Sequence, residues 1–311
     1  MNKQFDSPRC RALAAVELTK SMARVVTRRA ALRTFGLGFA GMALMRLGLR
    51  EAQAITNGQL DGNNHPNVGG FVWLTNIWSA DPPPVFIGTG ILIHPRVVLT
   101  AGHGTYAIEL AVANGLMTTD DLLISFANDA TNPGPWRLIS SVQTHPGYIA
   151  NPSNGADMGV AILDEPVTGI STVPLPPVGF LDALNAAGVL KAGSDRTRFT
   201  VVGYGVDPDG ANYGHLPFPP DGQRRMAQNE FRNLHDQWLF TDQNDSHDNG
   251  GSTPGDSGGA VFYTDPVTGR ETLVAIVSRG SLTSSQEFRV DTEEALGFLN
   301  QVIASFEAGE L

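Results

Sequence analysis

The protein has 311 residues, of which 41% are hydrophobic and 17% charged, with 35 Gly and 20 Pro. This composition fits a globular protein rich in turns and excludes a disordered chain. The formal net charge is -10 at pH 7 and falls to about -17 after residue 54, because ten of the 21 basic residues precede that point. A chain this acidic is a poor nucleic-acid binder.

The N-terminal segment carries an export pattern. Arg28 and Arg29 precede a weakly apolar run of eleven residues, 35–45, and Ala52-Gln53-Ala54 offers the small residues that a signal peptidase recognises. The pattern resembles a bacterial twin-arginine signal, and the apolar run is too short to span about 30 Å of hydrocarbon. Partners would be the twin-arginine export machinery and signal peptidase. We expect removal of residues 1–54, no stable membrane anchor, and a periplasmic or secreted product.

The rest of the chain consists mainly of strand patterns. The single cysteine, Cys10, would leave with the signal, so the mature chain is expected to fold without a disulfide. A Pro-rich connection at 173–177 divides two comparable halves, and a 3.6-residue apolar period after Asp291 predicts a terminal helix with Asp291 as N-cap and Glu294 closing a capping box. The strand patterns predict two β-barrels; the clearest are 85–94, 96–100, 122–126, 137–144, 198–202 and 272–278.

Two of these strand patterns border residues of catalytic type. An apolar strand, 96–100, is followed closely by His103, where a scaffold can aim the ring into a cleft. Asp157 stands directly before another apolar strand, 158–163, where its carboxylate can be held beside an imidazole. Taken alone, His103 is better explained as a loop histidine and Asp157 as a strand-capping aspartate.

A serine lies between glycines in Gly255-Asp256-Ser257-Gly258-Gly259, a segment that can bend to expose the hydroxyl. The same spacing occurs in the nucleophile elbow of α/β-hydrolases, but there the histidine follows the serine, whereas all seven histidines here precede Ser257. His103, Asp157 and Ser257 occur in a known catalytic-triad order, at intervals of 54 and 100 residues.

These motifs together resemble the chymotrypsin or trypsin family over nearly all of the mature chain. The resemblance implies an all-β fold of two six-stranded antiparallel β-barrels with a C-terminal α-helix. His103 and Asp157 would belong to a first barrel in 55–177, and Ser257 to a second in 178–311. The other matching segments are Ile55–Gly58, Val202–Gly205, Val277–Gly280 and Phe288–Asp291.

The resemblance also implies a serine endopeptidase that acts on protein or peptide substrates, without a cofactor. Ser257 would attack the scissile carbonyl and form an acyl-enzyme, His103 would act as general base and acid, and Asp157 would orient His103. The backbone N–H groups of Gly255 and Ser257 would form the oxyanion hole. Ser278 would support Asp157 through its hydroxyl and, with Gly280, pair with the substrate backbone.

Two positions depart from the family pattern. Six residues before Ser257, where members that cut after Lys or Arg carry an acid, stands Gly251. We therefore expect a neutral pocket that favours apolar residues before the cut, unless Asp245 or Asp248 enters it. Arg279 replaces the usual tryptophan on the substrate strand and would narrow or charge the subsites.

Two further hypotheses concern activation and metal binding. Cleavage after Ala54 would free the Ile55 amino group to pair with Asp256 and order the oxyanion loop. An acidic stretch at 242–248 suggests either a solvated loop or a calcium site, and we expect no metal because position twelve of such a loop is Thr253 rather than Glu.

Two rival functions remain on the same fold. A catalytically silent relative would bind a partner or carbohydrate, but such proteins usually lose a member of the triad. An esterase would hydrolyse activated esters, as peptidases of this family also do, so only a protein substrate separates the two.

Overall fold

The computed structural model describes residues 58–74, 85–130, 135–149, 155–193, 196–205, 222–244, 247–281 and 283–309. The expected signal segment 1–54, the expected N-terminal residue Ile55 and Asp245 lie outside these ranges. Among the described residues, no helix is both long and apolar enough to cross a bilayer.

The described residues form thirteen strands, three α-helices and one short 3-10 helix at Thr119–Asp121. The helices are α1 Gly102–Ala113, α2 Phe180–Ala186 and α3 Glu293–Glu307. The strands are β1 Gln59–Leu60, β2 Val68–Trp73, β3 Val85–His94, β4 Val97–Thr100, β5 Leu122–Ser125, β6 Arg137–Thr144, β7 Gly159–Leu163, β8 Arg198–Gly203, β9 Arg225–Leu234, β10 Trp238–Asp242, β11 Ala260–Thr264, β12 Glu271–Gly280 and β13 Ser284–Arg289.

The first barrel is a closed antiparallel sheet in the order β2, β3, β4, β7, β6, β5. Apolar side chains such as Leu92, Ile124 and Ile139 are fully buried in one of its clusters. Closure pairs every strand on both sides, so the sheet has no free edge. The site strands β4 and β7 are neighbours, with Thr100 opposite Gly159, which brings the ends of the two strands together.

The second barrel closes in the order β8, β9, β10, β13, β12, β11, and β1 adds to the start of β9. Apolar residues of both barrels share one buried cluster, which includes Ile91 and Leu99 of the first barrel and Ile276 and Phe288 of the second. The predicted architecture of two six-stranded antiparallel barrels with a C-terminal helix is confirmed.

The start of the terminal helix differs from the prediction. Thr292 is the N-cap of α3, and its side chain accepts a hydrogen bond from Ala295 N. Asp291 instead accepts hydrogen bonds from Leu181 N and from the Arg289 guanidinium, because a buried carboxylate beside an arginine is held by that charge. The assignment of Asp291 as N-cap and Glu294 as its capping-box partner was wrong.

Helix α1 was missed because the sequence gives no apolar stripe for it. Only Gly102, Thr105 and Ala111 of its twelve residues are buried. The helix lies on the surface, so its composition does not follow the period of a half-buried helix.

A fully buried arginine joins segments of both barrels. The side chain of Arg224, which precedes β9, is 0% exposed and forms an ion pair with the equally buried Asp61 at 2.9 Å. Its remaining N–H groups donate to five oxygens, those of Val68 O, Phe126 O, Tyr204 Oη, Asn63 Oδ1 and Asn128 Oδ1. Because every donor is used, the buried charge is fully compensated.

Replacing Arg224 with methionine is expected to lower the free energy of unfolding by about 3–5 kcal/mol, since it leaves a buried carboxylate and several carbonyls without their donor. Urea unfolding of the mature protein measures this loss, and the exposed Arg270→Met is the matched control. A change below about 1 kcal/mol, as for an exposed ion pair, would contradict the assignment.

Candidate active site

The end of β4 and the start of β7 bring His103 and Asp157 together. The chain leaves β4 at Thr100 and turns at once into α1, with His103 in its first turn. Gly102 permits this approach, because a Cβ there would lie 2.7 Å from Met158 N. The start of α1 therefore lies directly against the backbone of Asp157 and Met158.

The Asp157 carboxylate is held by three donors. Its Oδ1 accepts the backbone N–H of His103 at 2.7 Å, and its Oδ2 lies 2.9 Å from His103 Nδ1 and accepts the Ser278 hydroxyl. The carboxylate thus lies at the N-terminus of α1, where the helix dipole favours negative charge. Burial raises the pKa of Asp157. The charge and hydrogen bond of His103 and the hydroxyl of Ser278 lower it by more, so the net pKa lies below its ordinary value.

The electrostatics of His103 suit a general base. Burial lowers the pKa of the imidazole, whereas the charge of Asp157 and its hydrogen bond raise it by more, and the Arg279 guanidinium opposes that rise. The net pKa lies above the ordinary value. The side chain is still 39% exposed, and with Nδ1 held by Asp157 the other ring nitrogen is left for a reacting group.

The serine loop packs against the residues that precede His103. Gly255 and Gly258 have φ values of +102° and +82°, which glycine adopts without strain. A Cβ at Gly258 would lie 2.2 Å from Thr100 Oγ1 and 2.8 Å from Ala101 N. Gly258 also donates its N–H to Val277 O at 2.8 Å. Ser257 is therefore held between the end of β4 and the strand that carries Ser278.

Two backbone N–H groups of this loop matter for what it could bind. Within the described residues, neither the N–H of Gly255 nor that of Ser257 is bonded to a protein acceptor. No hydrogen bond joins the Ser257 hydroxyl to His103 in this part of the chain either. Such a contact is often long before substrate binds and shortens in the complex.

Thr89 of β3 is a positioning residue that the sequence did not reveal. Its backbone N–H donates to Ser257 O at 3.0 Å, and its hydroxyl donates to Gly255 O at 2.9 Å. These bonds fix the backbone on both sides of Asp256 from the first barrel. A lone threonine within a strand carries no motif, so no sequence pattern could have identified it.

Asp256 is fully buried beneath the same loop. Its Oδ1 accepts Gly205 N at 2.7 Å, and its Oδ2 accepts the N–H and hydroxyl of Thr253 at 2.8 and 2.9 Å. Burial raises the pKa of Asp256 to about 6, although these bonds and the charge of Arg225 oppose the rise. A buried carboxylate in this state would be stabilised further by a cation.

The expected substrate strand lies beside the catalytic residues. Ser278 and Gly280 stand at the end of β12, on either side of Arg279. The Arg279 guanidinium lies 4.7 Å from the centre of the Trp238 ring, and its Nε donates to Gln286 Oε1 at 2.8 Å. Its charge is thus held by a ring and an amide.

Replacing Arg279 with glutamine is expected to move the acid limb of the kcat/KM pH profile to higher pH. The guanidinium lowers the pKa of His103, so without it His103 stays protonated to a higher pH and cannot accept a proton there. The pH profile measures the shift, with the exposed Arg270→Gln as control for the same loss of charge. An acid limb that stays in place or moves to lower pH would contradict this.

Carboxylates at the acidic stretch before the serine loop are paired with an arginine. Ligand atoms of Glu230, Asp242 and His247 lie within 4.8 Å of one another. Arg196 donates to Glu230 at 3.1 Å and to Asp242 at 2.5 Å, so a protein charge already compensates the carboxylates that a metal ion would need.

Comparison with known proteins adds to this geometry. The family model described as Trypsin matches residues 62–294, a range that includes the His103, Asp157 and Ser257 motifs. A search of curated proteins gives no match.

Proposed function

The chain belongs to the trypsin family, and on that premise we propose that it is an exported serine endopeptidase with Ser257 as nucleophile, His103 as general base and acid, and Asp157 as the orienting carboxylate. The family consists in general of serine proteases that act on protein or peptide substrates. The observation that carries the proposal is the set of bonds from Ser278 through Asp157 to His103 Nδ1, beside a serine loop in which two N–H donors have no acceptor among the described residues.

In the first step, the Ser257 oxygen attacks the scissile carbonyl while its proton passes to His103 Nε2. The Asp157 carboxylate keeps the proton on Nδ1, so Nε2 has the lone pair that the step requires, and it stabilises the imidazolium that forms. The carbonyl oxygen becomes an anion that accepts the N–H groups of Gly255 and Ser257, a type of interaction in which one donor contributes about 3–4 kcal/mol.

In the second step, the C–N bond breaks as His103 gives its proton to the departing amine, which leaves an acyl group on Ser257. Water then enters, loses a proton to His103 and attacks the acyl carbon. Its attack releases the carboxylic acid, and the proton returns to Ser257. Each proton thus moves through His103, and Asp157 stays ionised, in agreement with its lowered pKa.

Digestion of denatured casein tests the proposal against both rival functions. The mature protein is expected to cut casein into peptides, and Ser257→Ala is expected to stop the digestion. The control is Ser171→Ala, which changes an exposed serine of the inter-barrel connection and should leave the digestion unchanged. Hydrolysis of activated esters without casein cleavage would favour an esterase. Inactivity of the folded, processed protein on both substrates would favour a silent binding protein.

The proposal includes export by a twin-arginine signal and activation by its removal. The new amino group of Ile55 would pair with Asp256, whose buried carboxylate has hydrogen-bond donors but gains from a full charge. Sequencing of the N-terminus of the exported, active protein tests this: Ile55 is expected as the first residue. An active form that begins well downstream would overturn it.

A further inference from the structure

A buried carboxyl that the proposed mechanism does not use lies on β13. Glu287 is 0% exposed and stands opposite Val277 of β12 and Leu239 of β10. Its Oε2 has no hydrogen-bond partner among the described residues. The donors that act on the carboxyl are the Thr241 hydroxyl, 3.4 Å from Oε1, the Ser285 hydroxyl and the Ser278 backbone N–H. Buried carboxyl groups are usually fully bonded, so this one calls for a reason.

Two buried amide oxygens of the second barrel also have no partner among the described residues. Asn229 Oδ1 and Gln243 Oε1 lack partners in the described part of the chain. Asn229 donates its amide N–H to Thr241 Oγ1 at 2.9 Å, so it shares Thr241 with Glu287. The side chains of Glu287, Asn229 and Gln243, which we call the acceptor cluster, therefore each offer one oxygen that has no donor among the described residues.

Three segments that surround the proposed nucleophile meet over this cluster. Ser252, in the loop before Ser257, bonds Ser285 of β13 through its hydroxyl at 2.9 Å, and Ser285 pairs with Gly280 at the end of β12. A Cβ at Gly280 would lie 3.3 Å from Gln243 Nε2 and 3.5 Å from Ser252 Oγ. The Ser285 hydroxyl also acts on the Glu287 carboxyl, so the acceptor cluster reaches the floor between the substrate strand and the serine loop through Ser285 and Gln243.

Gly251, the position that the family pattern links to specificity, lies at the same floor. A Cβ at Gly251 would lie 2.1 Å from Gln243 Oε1, so the glycine leaves room for that amide. The side chain of the residue before a scissile bond at Ser257 would extend between Ser252 and Gly280 and end at the acceptor cluster. An apolar side chain would leave all three oxygens desolvated and unbonded, at a cost of about 1–3 kcal/mol each.

The charge around Glu287 also favours an incoming cation. Among the described residues, no basic side chain forms an ion pair with it, and Asp256 adds a like charge. Burial and the charge of Asp256 raise the pKa of Glu287, while Ser285, Thr241 and the Ser278 backbone N–H oppose the rise, and the net pKa is about 8. The carboxyl can therefore stay neutral when the floor is empty and ionise when a positive group arrives.

We propose that Glu287, assisted by Gln243, is a specificity-determining residue that directs cleavage after lysine or arginine. An ammonium brings three N–H donors and a guanidinium five, each with a positive charge, which is what the acceptor cluster lacks. This inference rests on the proposed endopeptidase activity. It replaces the expectation of a neutral, apolar pocket that followed from Gly251 alone.

Fluorogenic peptides that differ only in the residue before the cut test the inference. The mature protein is expected to favour lysine over its uncharged isostere norleucine by about 100-fold or more in kcat/KM. Glu287→Gln keeps the volume and removes the charge, so it should reduce that ratio by about 10–100-fold, since a charged hydrogen bond contributes about 1.5–3 kcal/mol. Norleucine cleavage should stay near the wild-type value. The exposed Glu165→Gln is the matched control.

A binding measurement keeps the test independent of catalysis and of the fold of the Glu287 variant. Calorimetry on the otherwise native Ser257→Ala protein compares benzamidinium with benzamide, its neutral analogue, and we expect at least about tenfold tighter binding of the cation. Equal binding, or cleavage that prefers norleucine and does not change in Glu287→Gln, would overturn the inference and leave the endopeptidase standing. Preferential cation binding by a protein that cleaves no peptide would instead remove the proposed function.

Discussion

Replacing Ser257 or His103 with alanine is expected to reduce kcat on a peptide substrate by about 10⁵–10⁶-fold. Ser257→Ala removes the atom that would form the acyl bond, and His103→Ala removes the proposed acceptor of its proton. The N–H groups of Gly255 and Ser257 remain in both variants, so a residual rate of about 10³–10⁴ over water persists. KM should change little, because neither side chain lies on the substrate strand.

The double variant gives the sharper result. Because the two residues act in one proton transfer, the Ser257→Ala and His103→Ala effects are expected to be strongly non-additive, and the double variant should be about as slow as either single one. Steady-state kinetics at matched enzyme purity measures this. Multiplication of the two effects would show that His103 and Ser257 act independently, which contradicts a shared step.

Replacing Asp157 with asparagine is expected to lower kcat by about 10⁴-fold while the protein stays folded. An amide can donate toward His103 Nδ1, which moves the proton to Nε2 and leaves that nitrogen unable to accept the serine proton. The pKa of His103 should also fall, since the Asp157 charge and hydrogen bond are what raise it. Any remaining acid limb of the pH profile should therefore shift to lower pH.

Ser278→Ala distinguishes positioning of the carboxylate from its charge. It removes one donor to Asp157 but leaves both contacts to His103, so a loss of about tenfold is expected, equivalent to about 1.4 kcal/mol. The exposed Asp120→Asn is the matched control for Asp157→Asn. If Asp157→Asn cost no more than Ser278→Ala, the carboxylate would not be the group that fixes the tautomer.

The barrels were predictable because their strands carry local patterns. The bounds predicted for the strands at 85–94 and 137–144 agree with the structure, since both segments are short runs of strand-forming residues bounded by turn residues. Helix α1 could not be predicted, because only three of its twelve residues are buried and its sequence has no apolar stripe. The N-cap error at Asp291 arose because its carboxylate accepts the backbone N–H of Leu181 in α2, a long-range partner that no local capping rule includes, and the guanidinium of the neighbouring Arg289.

The candidate site, like the fold, has one part that the sequence predicts and one part that it does not. Order and spacing are sufficient to nominate His103, Asp157 and Ser257, because each stands in a short motif. Thr89 and Glu287 act through packing across strands far apart in the sequence, and their neighbours in the chain carry no pattern. Specificity was therefore the part most open to error, since Gly251 predicts an apolar pocket only if no other segment supplies an acid.

Labelling with a fluorophosphonate, followed by peptide mapping, tests the central claim most directly. The mature protein is expected to carry one adduct, on the peptide that contains Ser257, and labelling should be absent in Ser257→Ala and greatly slowed in His103→Ala. An adduct on another residue, or no adduct on a folded and correctly processed protein, would contradict the assignment of Ser257 as the activated nucleophile.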